Sequence, residues 1–530
     1  MSDRGPGDDV DSPSDHETGD GSDAESTGGS GAESIDGLDD DSIDPDDAET
    51  VSLSIGRETL VALGAKGLNA ALGFGGVVIF ANVLGDVGLG EYRTVLAAAF
   101  VLTQLPAGTA TAVKKRVSEV DVPAPEYLGA GLLVHLVFSV LVAVGFLVAG
   151  EYTVSYFGSR ALAGGVILVV VSLGLFNVTN RFYAGIGYPA LSSWVDTARS
   201  VLTLLLQVGF LLLGMEAFGL IVGFFAATVL SAVLSVVVAG VLPTRPTRRT
   251  FERIYDFARW VIPSSFVGNA YSSADVLLIR WLVGAGPVGV YTVASQLAQP
   301  AILFSSSITD ALDVKSSGRD SAGLGVRADL KNSISYAGLI AVPMVFGALA
   351  IPNALMTTLF GPEFRDAPGL ALVGMTVFQL FKVYGSPLGT VTQATDRPRL
   401  NFRVGLAILL LHLPLAVGLG HLFGLLGVIA STVIAEFLRF CVYQVVAHHL
   451  FGGVVLTRPM LDQVIAGAIM FGVVELLTLD LVTISGWVWL LVVVGIGAVT
   501  YFLALLGVSR HFRVTLGNVL PWVPSLPARP

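Results

Sequence analysis

The chain reads as an all-α polytopic membrane protein of about fourteen transmembrane helices, arranged as two parallel six-helix lobes followed by two further helices. Three observations predict this. Of the 530 residues 53% are hydrophobic and only 13% are charged, about half the charged share of a soluble domain. Apolar runs of about 20 residues, long enough to cross the hydrocarbon core, recur from Thr59 to Leu506 with short gaps. The third observation is an internal duplication at an offset of about 200 residues.

Taken in order, residues 1–55 form an acidic segment predicted to be disordered. Residues 1–50 hold 18 Asp and Glu against one Arg, and they are too poor in large apolar groups to offset the entropy of ordering. Without an apolar core the segment does not read as a signal peptide. The remainder carries 29 basic and 23 acidic residues, with Arg far outnumbering the six Lys. An Asp-rich, Lys-poor chain suggests a salt-adapted source of the halophilic-archaeal kind. The lone Cys441 lies inside an apolar run, which leaves no role for disulfides.

The spans fall near 59–84, 92–113, 127–149, 161–185, 190–213, 217–241, 260–283, 287–312, 332–352, 369–391, 401–420, 424–447, 461–480 and 485–507. They divide into an N-lobe over 56–242, a basic linker over 243–259, a C-lobe over 260–450, a final pair over 458–508 and a tail over 509–530. Basic residues in short loops set orientation. Lys114, Lys115 and Arg116, the five arginines between Arg245 and Arg259, Arg397, Arg399, Arg403, Arg458, Arg510 and Arg513 all fall on one side. Both termini are therefore expected in the cytoplasm, at the cell membrane.

Leu84-Gly85-Asp86-Val87-Gly88-Leu89-Gly90-Glu91-Tyr92 and Val283-Gly284-Ala285-Gly286-Pro287-Val288-Gly289-Val290-Tyr291 share an aliphatic-G-x-x-x-aliphatic-G-x-Y pattern 199 positions apart. Phe157-Gly158 echoes Phe360-Gly361, Pro189 echoes Pro398, and Phe218-Gly219-Leu220 echoes Phe423-Gly424-Leu425. A small-Thr-Val triplet follows that last pair in both copies, at Thr228 and Thr432. Six-span units enter the membrane in the same direction, so the copies are parallel repeats with a cavity expected between them near the midplane.

The body from about Arg57 to Leu506 resembles the polysaccharide and oligosaccharide flippases (Wzx/PST type) of the superfamily that also holds the MATE exporters. The likeness is sharpest from Asn269 to Pro300, where an Asp stands mid-helix before an apolar run and a Gly-x-Tyr turn opens the next helix. The Gly361–Ala367 stretch and the Asp396-Arg397-Pro398 turn also resemble family positions. Many members have Arg directly after that Asp, whereas here Val276 follows Asp275 and Arg280 comes a turn later. The resemblance implies a MATE-like fold and the movement of a lipid-linked glycan, on a polyprenyl or dolichyl phosphate or pyrophosphate, to the outer leaflet. It also implies contact with membrane lipids and with glycosyltransferases of the same pathway.

An ionisable side chain within a span costs a few kcal/mol and marks a functional site. Lys66, Arg93, Arg280 and Lys382 are the candidate cations for an anionic headgroup, with Asp275 orienting or coupling to a cation. Lys66, Arg93 and Arg280 can equally snorkel to an interface. Glu436 and Arg439, three apart, read as a local pair, as do Asp196 and Arg199. His135 and His412 read as packing histidines, and Tyr92 and Tyr291 as interface tyrosines.

Enzyme signatures are missing: no Walker A sequence, no zinc spacing and no Gly-x-Ser-x-Gly elbow occurs. The sequence thus points to no cofactor, no metal, no nucleic acid and no enzymatic activity. Two alternatives to a flippase are a cation-coupled MATE-type exporter of small molecules, and a glycosyltransferase or polymerase acting on a lipid-linked sugar.

Overall fold

The computed structural model describes residues 45–321, 326–394, 397–480 and 486–519. The acidic stretch up to residue 44, Asp396 and the extreme C-terminus lie outside them. Residues 1–63 and 64–530 are separate units, and the second holds the helical bundle.

The described residues are helical and contain no strand. The elements run α1 (Pro45–Leu102), α2 (Gln104–Val117), α3 (Ala124–Phe157), α4 (Arg160–Gly185), α5 (Pro189–Leu212) and α6 (Glu216–Ala239). A second series follows as α7 (Arg248–Leu282), α8 (Ala285–Ala298), α9 (Pro300–Ser321), α10 (Arg327–Ala350), the short α11 (Pro352–Phe360), a 3-10 turn (Pro362–Phe364), α12 (Gly369–Ala394) and α13 (Pro398–Phe451). The chain ends with α14 (Arg458–Asp480), α15 (Trp487–Val508) and α16 (Arg510–Val519).

Ten described helices are long and apolar enough to cross a membrane. Two of them hide a reversal, because α1 breaks at Gly85 (φ 66°) and α13 at Gly424 (φ 59°). Splitting these adds two segments, and α7 and the α8–α9 pair add two more, which makes fourteen. The eighth span is divided in two at Gln299–Pro300, since a proline donates no backbone hydrogen bond. The basic stretch after Pro243, expected as a linker, becomes helical at Arg248, where the Thr247 hydroxyl caps α7 by accepting from the Thr250 amide at 3.3 Å.

The segments alternate between two ends. The turn end carries the breaks at Gly85, Gly158, Gly284, Gly361 and Gly424, and the basic end carries Lys114, Lys115 and the Arg248–Arg259 turns of α7. α4 packs against α2, α3, α5 and α6, while α12 packs against α8, α9, α10 and α13. α14 and α15 pack on each other and on α10. The two series meet where α2 and α3 lie against α7. One apolar cluster runs through both of them, from Phe80 and Val166 to Val293 and Val428.

Candidate functional site

The duplicated motif builds the joint between the two series at the turn end. Gly85 and Gly284 both have positive φ, 66° and 123°, a conformation that suits glycine. They let α1 and the α7–α8 pair reverse direction. Five residues further on, the last glycine of each copy faces the other copy's backbone. A Cβ on Gly90 would sit 1.9 Å from the Ala285 carbonyl oxygen, and one on Gly289 would sit 2.0 Å from that of Asp86. The glycines of the repeat are thus a backbone-to-backbone contact between copies.

The same joint is laced by polar groups. Asn82 Nδ2 donates to the Leu359 carbonyl at 2.9 Å, and Tyr156 Oη to that of Leu277 at 2.8 Å. Arg280 Nε donates to the Tyr156 carbonyl at 2.7 Å. The Arg280 guanidinium and the Glu91 carboxylate both lie beside Gly158.

A second joint closes the basic end. Arg253 pairs with Glu119, which also holds Arg116 at 2.9 Å. Arg116 Nε reaches the Arg253 carbonyl at 3.1 Å, and Glu126 accepts from Thr250 Oγ1 at 2.8 Å. Deeper in, Asn269 Nδ2 donates to Gln104 Oε1 at 2.9 Å. The Arg116 hydrogen bond, with Arg253 and Lys115 adding charge, holds the Glu119 carboxyl below the usual carboxylate range.

Between the joints lies a buried polar cluster. Asp275, two turns before the C-terminal end of α7 and 3% exposed, accepts three hydrogen bonds. They come from Tyr291 Oη on α8 at 2.8 Å, Thr432 Oγ1 on α13 at 2.9 Å and His412 Nε2 on α13 at 2.8 Å. The donors on α13 reach Asp275 from both sides of the Gly424 break. His412 is fully buried, and its Nδ1 has no partner among the described residues. The Tyr271 ring lies 5.3 Å from that of His412, and its hydroxyl donates to Glu436 Oε2 at 3.0 Å. Glu436 pairs with Arg439 at 3.3 Å, and the Arg439 guanidinium stands 4.2 Å over the Tyr271 ring.

Of the five site residues read from the sequence, the structure brings Asp275 and Lys382 to one polar region. Lys382 Nζ lies 5.4 Å from the centre of the Phe378 ring and within electrostatic reach of Glu436 and Arg439. Arg93 lies within electrostatic reach of Tyr92 and Tyr291, with its Nε buried and unpartnered among the described residues. Arg280 belongs to the turn-end joint and does not meet Asp275. The Lys66 side chain lies outside the described residues.

Two sequence readings are corrected. Tyr291, expected at an interface, is 8% exposed and bonded to Asp275; Tyr92 is 7% exposed and accepts from Gln207 Nε2 at 2.6 Å. His412, expected as a packing histidine, is a direct partner of Asp275. His135 does pack, bonded to the Val171 carbonyl at 2.9 Å. The repeat contained the missing signal, because its offsets of about 200 residues pair Tyr92 with Tyr291, Thr228 with Thr432 and Gln207 with His412. The N-terminal copy frames the same position with neutral groups, and Asp275 corresponds there to Gly76.

The structure thus holds two series of helices that meet at both ends, with a buried polar centre between the joints. Residues 55–312 match the family model described as "Polysaccharide biosynthesis protein". The chain is similar to the probable flippase AglR of Haloferax volcanii, 26% identical over 86% of this chain and 96% of that one. It is also similar to that organism's probable low-salt glycan biosynthesis flippase Agl15, 24% identical over 79% and 89%. Its fold matches the lipid II flippase MurJ in an inward closed conformation, with a TM-score of 0.67 at 16% identity over 87% and 99% of the two chains. An inward-facing MATE family multidrug resistance transporter matches with 0.58 at 16% identity over 74% and 94%. The chain is thus similar along most of its length to proteins named as probable flippases, and its fold is that of the MurJ and MATE structures.

Proposed function

We propose that this protein carries a lipid-linked oligosaccharide or polysaccharide precursor from the cytoplasmic to the outer leaflet by alternating access. The basic end and both termini lie in the cytoplasm on this reading, as the distribution of Lys and Arg favours. The observation that carries it is the pair of joints. The two copies touch at the turn end through Gly90 and Gly289 and at the basic end through Glu119 and Arg253, so opening either one exposes the polar centre to one side only.

The names of the relatives supply the substrate class, and the residues agree with it. A hydrated glycan on a phosphate must stay out of hydrocarbon and needs cationic groups along its path. Of the described cations near the centre Arg439 is paired with Glu436, and we assign Lys382 and Arg93 to the headgroup. Arg280 serves the joint instead, and Lys66 stays a candidate from sequence. An apolar cavity of ≈ 310 Å³, lined by Met344, Leu355, Met470, Val493, Tyr501 and Phe502 among others, suits a hydrocarbon tail held beside the second copy. Glycosyltransferases that assemble the glycan are the expected functional partners.

The test is Lys382→Ala in cells whose own copy is deleted. Lipid-linked glycan should accumulate in the cytoplasmic leaflet, with at least a tenfold loss at the surface. Unchanged surface glycan in the deletion strain itself would sink the substrate assignment.

A further inference from the structure

We infer that the groove between α9 and α10 at the basic end is a carbohydrate subsite, which takes a neutral pyranose unit of the glycan on the cytoplasmic side. This rests on the flippase reading and adds to it a place where the glycan itself is recognised.

The groove has a volume of ≈ 410 Å³, within the range of about 300–1,000 Å³ typical of ligand sites. Its two walls differ in character. α9 supplies Phe304, 37% exposed, and Ile308. α10 supplies Asp329, Asn332 and Ser333, and Ser307 of α9 completes the polar side. A pyranose has the matching form, with a patch of C–H bonds that packs on the negative face of an aromatic ring and a rim of hydroxyls that donate and accept. Asn332 offers both a donor and an acceptor, the two serines can serve as either, and Asp329 accepts. The Asn332 and Ser333 side chains make no hydrogen bond among the described residues. Ser307 Oγ has a long one of 3.4 Å, to the Leu303 carbonyl.

Depth and charge narrow the ligand further. Asp329, Asn332 and Ser333 occupy the first two turns of α10, within about 10 Å of its start. On the fourteen-span reading this is headgroup level, and a hydrocarbon chain in the groove would leave its polar side chains without partners. Arg327 and Lys331 flank Asp329 in sequence but do not line the groove, because residues two apart on a helix do not share a face. A carboxylate with no lining cation suits a neutral sugar over a phosphate or a hexuronate.

The duplication shows what the corresponding surface does in the first series. At the offset of 203 that relates Phe157 to Phe360, Asp329 corresponds to Glu126, Asn332 to Gly129 and Ser333 to Ala130. At the offset of 199 of the turn motif, Ser307 corresponds to Gly108. There the chain covers the surface itself. A Cβ on Gly129 would lie 2.0 Å from the Thr244 carbonyl oxygen, and one on Gly108 would lie 2.4 Å from Ile262 Cγ1. The Thr244 amide donates to the Pro125 carbonyl at 3.1 Å, and Glu126 accepts from the Thr250 hydroxyl at 2.8 Å. The second series keeps the acid, but places asparagine and serine where the first has glycines that admit the chain. A surface that binds backbone and a threonine hydroxyl in one copy thus presents hydrogen-bonding side chains in the other.

The test is saturation-transfer NMR on the full chain in lipid nanodiscs, with methyl glucoside, galactoside and mannoside, methyl glucuronoside, and glycerol as the control. At least one neutral hexoside should give a saturable signal, and the glucuronoside should bind at least fivefold more weakly. Phe304→Leu and Asn332→Ala alter exposed positions, and each should weaken hexoside binding about fivefold or more. No saturable hexoside signal, equal binding of the glucuronoside, or wild-type binding in both variants would overturn the inference. If one variant fails to fold, the other and the wild-type comparison of sugars decide. Free sugars carry no lipid, so the outcome is independent of transport. Loss of surface glycan in the deletion strain with no sugar bound at the groove would sink this inference alone, and bound sugar with unchanged surface glycan would sink the flippase reading alone.

Discussion

Gly289→Ala tests the claim that the repeat glycines are a contact between copies rather than flexible points. A Cβ built there lies 2.0 Å from the Asp86 carbonyl oxygen and 2.7 Å from its carbon. A carbon and a carbonyl oxygen approach to about 3.3 Å at closest, so the backbones must part by about 1.3 Å. The obstacle is main chain on both sides, so no rotamer change relieves it. Overpacking of this kind costs about 1–3 kcal/mol, and only the state with this joint closed bears the cost. The closed-to-open ratio should fall about 5- to 150-fold. The readout is the distance between spin labels at Tyr152→Cys and Trp281→Cys, and Gly145→Ala is the control, since nothing lies within 4 Å of its added Cβ. A folded Gly289→Ala protein with the distance distribution of the control would refute the reasoning.

Gly90→Ala should act in the same direction, because its Cβ would meet Ala285 O at 1.9 Å. Tyr291→Phe removes a hydrogen bond to a charged acceptor and should cost about 1.5–3 kcal/mol, whereas Tyr92→Phe leaves Gln207 bonded to the Leu220 carbonyl and should cost about 1 kcal/mol or less. Thermal unfolding in detergent ranks the two, and equal losses would contradict the asymmetry between copies. Glu119→Gln should weaken the basic-end joint by about 0.2–1 kcal/mol, the range for partly exposed pairs, read as faster labelling of a cysteine at Thr250. Acid should mimic it with a defined sign. The Glu119 carboxyl is held below its ordinary value of 4.5, so its contribution is complete above that value and is lost as pH falls through the lowered one.

The fourteen segments were legible because apolar length and loop charge are properties of local sequence. Their ends were less so. Arg248–Arg259 carries enough charge to read as a linker, yet its helix is held by the Thr247 cap and by packing of Ile254 and Ala258 against the α2–α3 region. The repeat glycines were visible as a pattern, but their purpose was not, since a contact between residues 200 apart has no local signature. Asp275 stood out as a carboxylate within a span that has no cation three or four residues away. His412 and Tyr291 did not, because a solitary histidine and an end-of-span tyrosine are common in packing and interface roles. Only the register of the duplication tied them to Asp275. Arg280 had the right chemistry for a headgroup site, but the fold spends it on a main-chain carbonyl.

The two joints are held by different forces, and ionic strength separates them. The basic end relies on carboxylate–guanidinium pairs at Glu119 whose side chains are 21–35% exposed, and mobile ions at 1 M shrink the reach of such charges to about 3 Å. The turn end relies on main-chain contact at Gly90 and Gly289 and on hydrogen bonds to carbonyls, which salt does not screen. In a cell whose interior holds molar salt, the resting balance is therefore shifted toward opening at the basic end. On the orientation proposed above that end is the cytoplasmic one, so a concentrated cytoplasm would help to present the empty carrier to the side where its cargo is made.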